Sequence, residues 1–178
     1  WYFNFNRYEG VPDEMRLSEW HKEQLQAMVF SSLVHNWYLH NAKFDMHMLG
    51  VEGLSLAGDV YCTYAHGRLL HNDLRAYNLD FLAKRWLGTS KSDLVKEYAE
   101  EHGLHDPVVK GKRGKNYHFW RVPLPIIQEY AEQDGLLTFA LGEHQRESLA
   151  LLDAERPQHM PPLANVSINE TALTKVLY

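Results

Sequence analysis

One stretch constrains this chain more than any other: Trp37-Tyr-Leu-His40-Asn41-Ala-Lys-Phe44-Asp45-Met-His-Met-Leu49. A short apolar run ends at His40-Asn41, and a helix follows that carries Asp45 on its first turns. A second element answers it downstream, Tyr130-Ala-Glu-Gln-Asp134-Gly-Leu-Leu-Thr138. Each sets a polar or phenolic side chain one helical turn before an aspartate. Residues i and i+4 of a helix share a face. The spacing therefore predicts that Asn41 points with Asp45, and Tyr130 with Asp134. Two aspartates presented in this way suit a hard divalent cation.

The chain of 178 residues is long enough for one domain with a real core. A net charge of −5 speaks against a protein that coats nucleic acid by bulk electrostatics. A metal-bridged phosphate site stays open, because the cation supplies the positive charge. The lone Cys62 forms no internal disulfide, fits a reducing compartment and reads as a small buried hydrophobe. No apolar run approaches the roughly 20 residues of a membrane span, and no signal peptide opens the chain at Trp1-Tyr-Phe-Asn-Phe5. Asn165-Val-Ser167 and Asn169-Glu-Thr171 match a glycosylation pattern that carries little weight without a secretory signal. His35, His40, His47, His66 and His71 lack the spacing of a closed zinc site.

Along the chain, Trp1–Phe5 reads as an aromatic strand, and Ser18 caps a helix to about Val34 with Leu25, Met28, Val29 and Leu33 on one face. Trp37–His40 is a strand and Ala42–Leu49 a helix. Asp59 starts a strand end that turns into a helix reaching about Leu70. Leu79–Leu87 is a helix stopped by Gly88, and Ser92 opens another to about His102, before Gly103. Lys110, Lys112, Arg113, Lys115 and Arg121 crowd around Tyr117-His-Phe-Trp120. Pro125 begins a long helix to about Leu152. Arg156–Pro162 reads as a linker, and Ser167-Ile-Asn-Glu170 as a capping box that opens a last helix.

These residues, in this order, resemble the 3′–5′ exonuclease (proofreading) domain of the family A, DNA polymerase I-like enzymes, within the DEDD exonuclease superfamily. His40-Asn41-Ala-Lys-Phe44-Asp45 is similar to that family's second motif, and Tyr130-Ala-Glu-Gln-Asp134 to its third, in the tyrosine-containing form. Asp59-Val and Leu79-Asp80-Phe-Leu82-Ala83-Lys-Arg85-Trp86-Leu87-Gly88 resemble the stretch between them. Gly111-Lys-Arg-Gly114-Lys115-Asn116 with Phe119 resembles the loop before the third motif. The family's first motif, Asp-x-Glu on a central strand, is absent. Asp13-Glu14 does not replace it, because adjacent residues of a Pro-Gly loop cannot project from one strand face.

The resemblance implies an α/β, ribonuclease H-like exonuclease fold without its first two strands. Residues 1–155 would be the exonuclease-like domain, and 156–178 a linker and helical C-terminal extension that starts a polymerase portion. It implies two-metal phosphodiester hydrolysis with Mg²⁺ or Mn²⁺, the site incomplete in this chain and the chain by itself inactive. Asp134 and Asp45 would be the metal-binding catalytic carboxylates, and Tyr130 would orient the attacking water or scissile phosphate. Asn41 and Phe44 would support the terminal nucleotide. The partners implied are a single-stranded DNA 3′ end and a polymerase domain C-terminal to this chain, in the cytoplasm of a bacterial or virus-infected cell, with no membrane. Lys112, Lys115 and Trp120 form a candidate platform for single-stranded DNA, while Arg75 and Arg68 are candidate phosphate contacts. The bland alternatives are solvated helix aspartates, a core Phe44, a structural strand-end His40, a capping Asp59 and an ordinary basic loop. Two rival functions stand beside the first: a non-catalytic domain that binds DNA or braces a polymerase, and a ribonuclease D-like enzyme acting on RNA.

Overall fold

A computed structural model describes residues 18–31, 33–90, 92–107 and 115–157. Its elements run α1 (Glu19–Val29), β1 (Asn36–Leu39), α2 (Ala42–Val51), β2 (Asp59–Cys62), α3 (Thr63–Leu70), α4 (Leu79–Leu87), α5 (Leu94–Glu101), a 3₁₀ turn at Phe119–Arg121 and α6 (Leu124–Ala154). The class is thus mixed α/β, with six helices and a small parallel sheet among the described residues. The expected strand at Trp1–Phe5 and the capping box with its helix at 167–178 lie outside the described residues. The chain divides into two compact units, Trp1–Lys22 with Lys91–Gly135, and Glu23–Ser90 with Leu136–Tyr178.

In the second of these units, β1 and β2 pair in parallel, Asn36 opposite Asp59 and Leu39 opposite Cys62. Parallel strands cannot be joined by a tight turn, so the chain crosses over through α2. The approach to β2 is tied down at its start. Trp37 Nε1 donates to the Ala57 carbonyl at 2.6 Å, and the Asp59 N–H donates to the His35 carbonyl at 2.9 Å. Gly58 sits at φ +87, and a Cβ there would lie 2.5 Å from the His35 oxygen, so this position admits glycine alone. Ala42, Val60 and Cys62 form one buried cluster, and Tyr77, Leu79, Leu82 and Leu141 form another. Helix α4 is locally specified at both ends. The Asn78 side chain accepts from the Phe81 N–H, and Gly88 closes it at φ 70.

Helix α1 departs from expectation at its C-terminal end. Ser18 caps it as anticipated, its hydroxyl accepting from the His21 N–H at 3.2 Å. The helix stops at Val29 rather than near Val34, because the Ser31 hydroxyl takes the Leu33 N–H and competes with helical bonding. Leu33, expected on the buried face, is 85% exposed, and of that face only Leu25 and Val29 are buried.

The other unit is built on α5 and the first turns of α6. Val95, Ala99, Val122 and Ile127 are its buried core, ringed by Tyr98, Leu104, Tyr117, Phe119, Trp120 and Tyr130. His105 bridges antiparallel to Tyr117, and the Asp106 N–H donates to the Asn116 carbonyl. Asp106 also takes hydrogen bonds from Asn116 Nδ2 at 2.6 Å and meets His118 Nε2 at 2.8 Å. These contacts pair the two segments that flank the basic stretch 108–114. No helix among the described residues is long and apolar enough to cross a membrane.

The two glycines of α6 separate packing from propensity. A Cβ on Gly142 would overlap the Tyr38 ring, whereas one on Gly135 meets nothing within 4 Å. Gly142→Ala should cost about 1–3 kcal/mol of stability through overpacking. Gly135→Ala should gain about 0.5–1 kcal/mol through helix propensity. Urea denaturation of both variants checks this, and equal effects would refute the packing seen at Gly142.

Candidate metal-binding and nucleic-acid-binding site

Asp45 follows directly from the strand–turn–helix order. β1 ends at Leu39, Asn41 turns the chain, and the first helical hydrogen bond runs from the Phe44 N–H to the Asn41 carbonyl at 2.9 Å. Asp45 then falls in the first turn of α2. Its carboxyl is half-buried, and burial pushes its pKa from the ordinary 3.8 up to about 6. A carboxylate stripped of water in this way gains from a neighbouring cation.

Asn41 does not share a helical face with Asp45, contrary to the i,i+4 expectation. It is the N-cap residue outside the helix, left-handed at φ 63 and ψ 49, with no side-chain cap bond. Asn is among the few non-glycine residues that tolerate this region. Its side chain is therefore placed by a turn and not by helix periodicity.

Tyr130 and Asp134 do lie one turn apart within α6. Tyr130 is half-buried, its ring 6.2 Å from that of Phe119, and it packs against the Val95–Ile127 core. Asp134 Oδ1 is buried. Both belong to the first unit, and Asp45 to the second. Carboxylate oxygen is the donor that Mg²⁺ and Mn²⁺ prefer, so each aspartate fits a hard cation chemically. Among the described residues, no three His, Cys, Asp or Glu side chains gather as a ligand set.

The candidate nucleic-acid contacts differ in character. Phe44 is 60% exposed, so the core alternative fails and the ring stands free on α2. Arg75 is exposed, its guanidinium 5.2 Å from the Phe81 ring centre. Arg68 donates to the Tyr64 hydroxyl at 3.0 Å and covers the Tyr77 ring at 4.6 Å. Lys115 pairs with Glu100 at 3.3 Å, and Tyr117 donates to the same carboxylate at 2.5 Å. Those two bonds, the tyrosine's first, hold the Glu100 carboxyl below the usual range. Lys112 lies outside the described residues. Trp120 is half-buried against the core of its unit and stacked on His118 at 4.7 Å, so it is less open than a surface platform. Phe119 packs on the same core.

His40 has the structural role expected of it, its Nδ1 lying 2.8 Å from Thr63 Oγ1. Two features of the second unit went unread in the sequence. Cys62 accepts a hydrogen bond from the Ala42 N–H at 3.4 Å. Tyr38 donates to Glu143 and accepts from Arg146 at 2.6 Å, with the Arg146 guanidinium 4.5 Å over Tyr61. Burial first, then Glu143, raises the Tyr38 phenol above its usual range. Neither feature has a local signature, because each joins residues far apart in the chain.

The profile of a family described as 3′-5′ exonuclease matches residues 3–150. A protein called DNA polymerase DpoZ from Salmonella phage PMBT28 is 26% identical over 151 residues, which cover 84% of this chain and 23% of that protein. A second DNA polymerase DpoZ, from Acinetobacter phage SH-Ab 15497, is 33% identical over 116 residues, 64% of this chain and 18% of that one. The chain spans less than a quarter of the length of either relative.

The raised Asp45 pKa has a consequence for stability. The folded protein holds this proton more tightly than the unfolded chain, so the stability tied to it is complete below about pH 3.8 and is lost as pH rises through about 6. Asp45→Asn removes the ionisation. It should flatten that part of the pH profile and add about 1–2 kcal/mol at neutral pH, after allowance for partial exposure. Denaturation of both proteins across about pH 4 to 7 tests the linkage, and parallel profiles would refute it.

Proposed function

The chain belongs to the 3′-5′ exonuclease family matched over residues 3–150, and from that premise we propose that it is the proofreading exonuclease domain of a phage-type DNA polymerase, with a ribonuclease H-like fold. Its substrate is the 3′ end of a single DNA strand. Its partner is a polymerase domain in the same polypeptide. The observation that carries this reading is the desolvated Asp45 carboxyl on the first turn of the helix that follows β1. The exposed Phe44 beside it, and the Tyr130–Asp134 face of α6, support the same reading.

In this reading Asp45 and Asp134 would each serve as a cation ligand through carboxylate oxygen. Bound Mg²⁺ or Mn²⁺ supplies an acidified water and a charge to stabilise the leaving oxygen. Tyr130 directs its phenol towards the water or the scissile phosphate. Phe44 lays its ring against the terminal base, and Asn41 supports that end of the strand. Lys112, Lys115 and Arg75 neutralise phosphates farther along it, and Trp120 flanks the path. The Asp-x-Glu pair on a central strand is what the carboxylate set of this chain lacks, so in this reading the chain alone binds Mn²⁺ weakly and hydrolyses little or no DNA. A non-catalytic domain that braces a polymerase is the second reading, favoured by the lack of three clustered ligands among the described residues.

Two measurements separate these readings. Calorimetry should find weak Mn²⁺ binding to this chain; tight binding would mean that the absent motif has been misread. In the full polymerase chain, Asp134→Ala should abolish hydrolysis of a 3′-labelled single strand in Mg²⁺ while polymerisation persists. Asp45→Ala should do nearly the same. Tyr130→Phe should cost about 10- to 100-fold, the scale of an outer-shell partner. Full nuclease activity in the Asp134 variant would remove the two-metal reading and leave the brace.

A further inference from the structure

Asn41 holds a left-handed backbone with no side-chain bond of its own to secure the helix start. Asn tolerates that region better than most residues, yet the conformation still costs free energy that its surroundings offset. The flanking residues on both sides are tied to two consecutive positions at the β2–α3 junction. Before Asn41, the His40 ring nitrogen Nδ1 lies 2.8 Å from Thr63 Oγ1, and the same hydroxyl donates to the Leu39 carbonyl at 3.4 Å. When the hydroxyl proton goes to Leu39, its oxygen accepts from an imidazole protonated on Nδ1. After Asn41, the Ala42 N–H donates to Cys62 Sγ at 3.4 Å, and the Ala42 side chain is fully buried against Val60 and Cys62. Thr63 is itself fixed: it is fully buried, and its carbonyl takes a hydrogen bond from Gln145 Nε2 at 3.0 Å.

We infer that Cys62 and Thr63 form a clamp that imposes the Asn41 turn and so sets the direction in which the first turn of α2 presents Asp45. Thr63 is then a positioning residue: it touches neither cation nor DNA. The inference rests on the proposed reading of Asp45 as a cation ligand, but the turn geometry can be measured without any cation. Thr63→Val keeps the side-chain volume and removes the hydroxyl, Thr63→Ser keeps the hydroxyl, and Cys62→Ala removes the acceptor of the Ala42 N–H without adding bulk.

The test is nuclear magnetic resonance on this chain, in two arms. Without cation, residual dipolar couplings across residues 41–45 should change in Thr63→Val and Cys62→Ala and stay as in the unaltered protein in Thr63→Ser. With Mn²⁺ as probe, broadening of the Asp45 amide should require at least about 10-fold more cation in Thr63→Val, and within about 2-fold of the unaltered amount in Thr63→Ser. Unchanged couplings in Thr63→Val and Cys62→Ala, with the protein folded, overturn the clamp. Changed couplings with no Mn²⁺ effect at Asp45 even in the unaltered protein overturn the ligand reading instead and leave the clamp as a turn-setting device. Equal losses in Thr63→Val and Thr63→Ser would also overturn it, since the hydroxyl would then be irrelevant.

Discussion

The parallel pairing of β1 with β2 is the constraint that the second unit depends on. Two short strands running the same way leave no room for a hairpin, so a helix must intervene. Register then decides which groups meet. With Leu39 opposite Cys62, the end of β1 lies beside the end of β2, and the turn into α2 is built against the turn into α3. A one-residue slip would set Leu39 against Tyr61 or Thr63 and reverse the faces of one strand relative to the other. The bonds from Ala42 to Cys62 and from His40 to Thr63 exist only in the observed register.

The buried side of this unit is not purely apolar. Thr63, His66, Thr138 and Gln145 lie in it together with Leu82, Leu141 and Leu149. Thr138, Leu141, Gln145 and Leu149 follow the spacing of a single helical stripe on α6. Gln145 uses its amide N–H on the Thr63 carbonyl, while its buried Oε1 has no hydrogen-bond partner. An orphaned buried acceptor costs free energy that an apolar side chain would not. Against that cost stands the bond by which Gln145 holds the β2–α3 junction.

How far the residues alone reveal this arrangement depends on how local each cause is. Helix α4 matches its expected span because Asn78 and Gly88, its start and stop signals, lie next to it in the chain. The long α6 was readable from its length, beginning one residue before the Pro125 that marked it. Asn41 was misplaced because periodicity says nothing of a turn imposed by Cys62 and Thr63, some twenty positions on. The C-terminal end of α1 failed for a related reason, a serine hydroxyl competing for backbone bonds. The pair of aspartates was visible as a pattern of order and spacing. The desolvation of Asp45 was not, since burial arises from packing that no single segment encodes.

The bond from Ala42 to Cys62 also makes this sulfur an internal gauge of breathing motions. It is the only thiol in the chain, it is buried, and it sits where β2 ends and α3 begins. A thiol reagent therefore reaches it only when the crossover opens. In the regime where closing outruns reaction, the labelling rate reports the free energy of that local opening, separate from unfolding of the chain as a whole. The start of α2 thus carries its own clock, readable with a thiol reagent and no substrate.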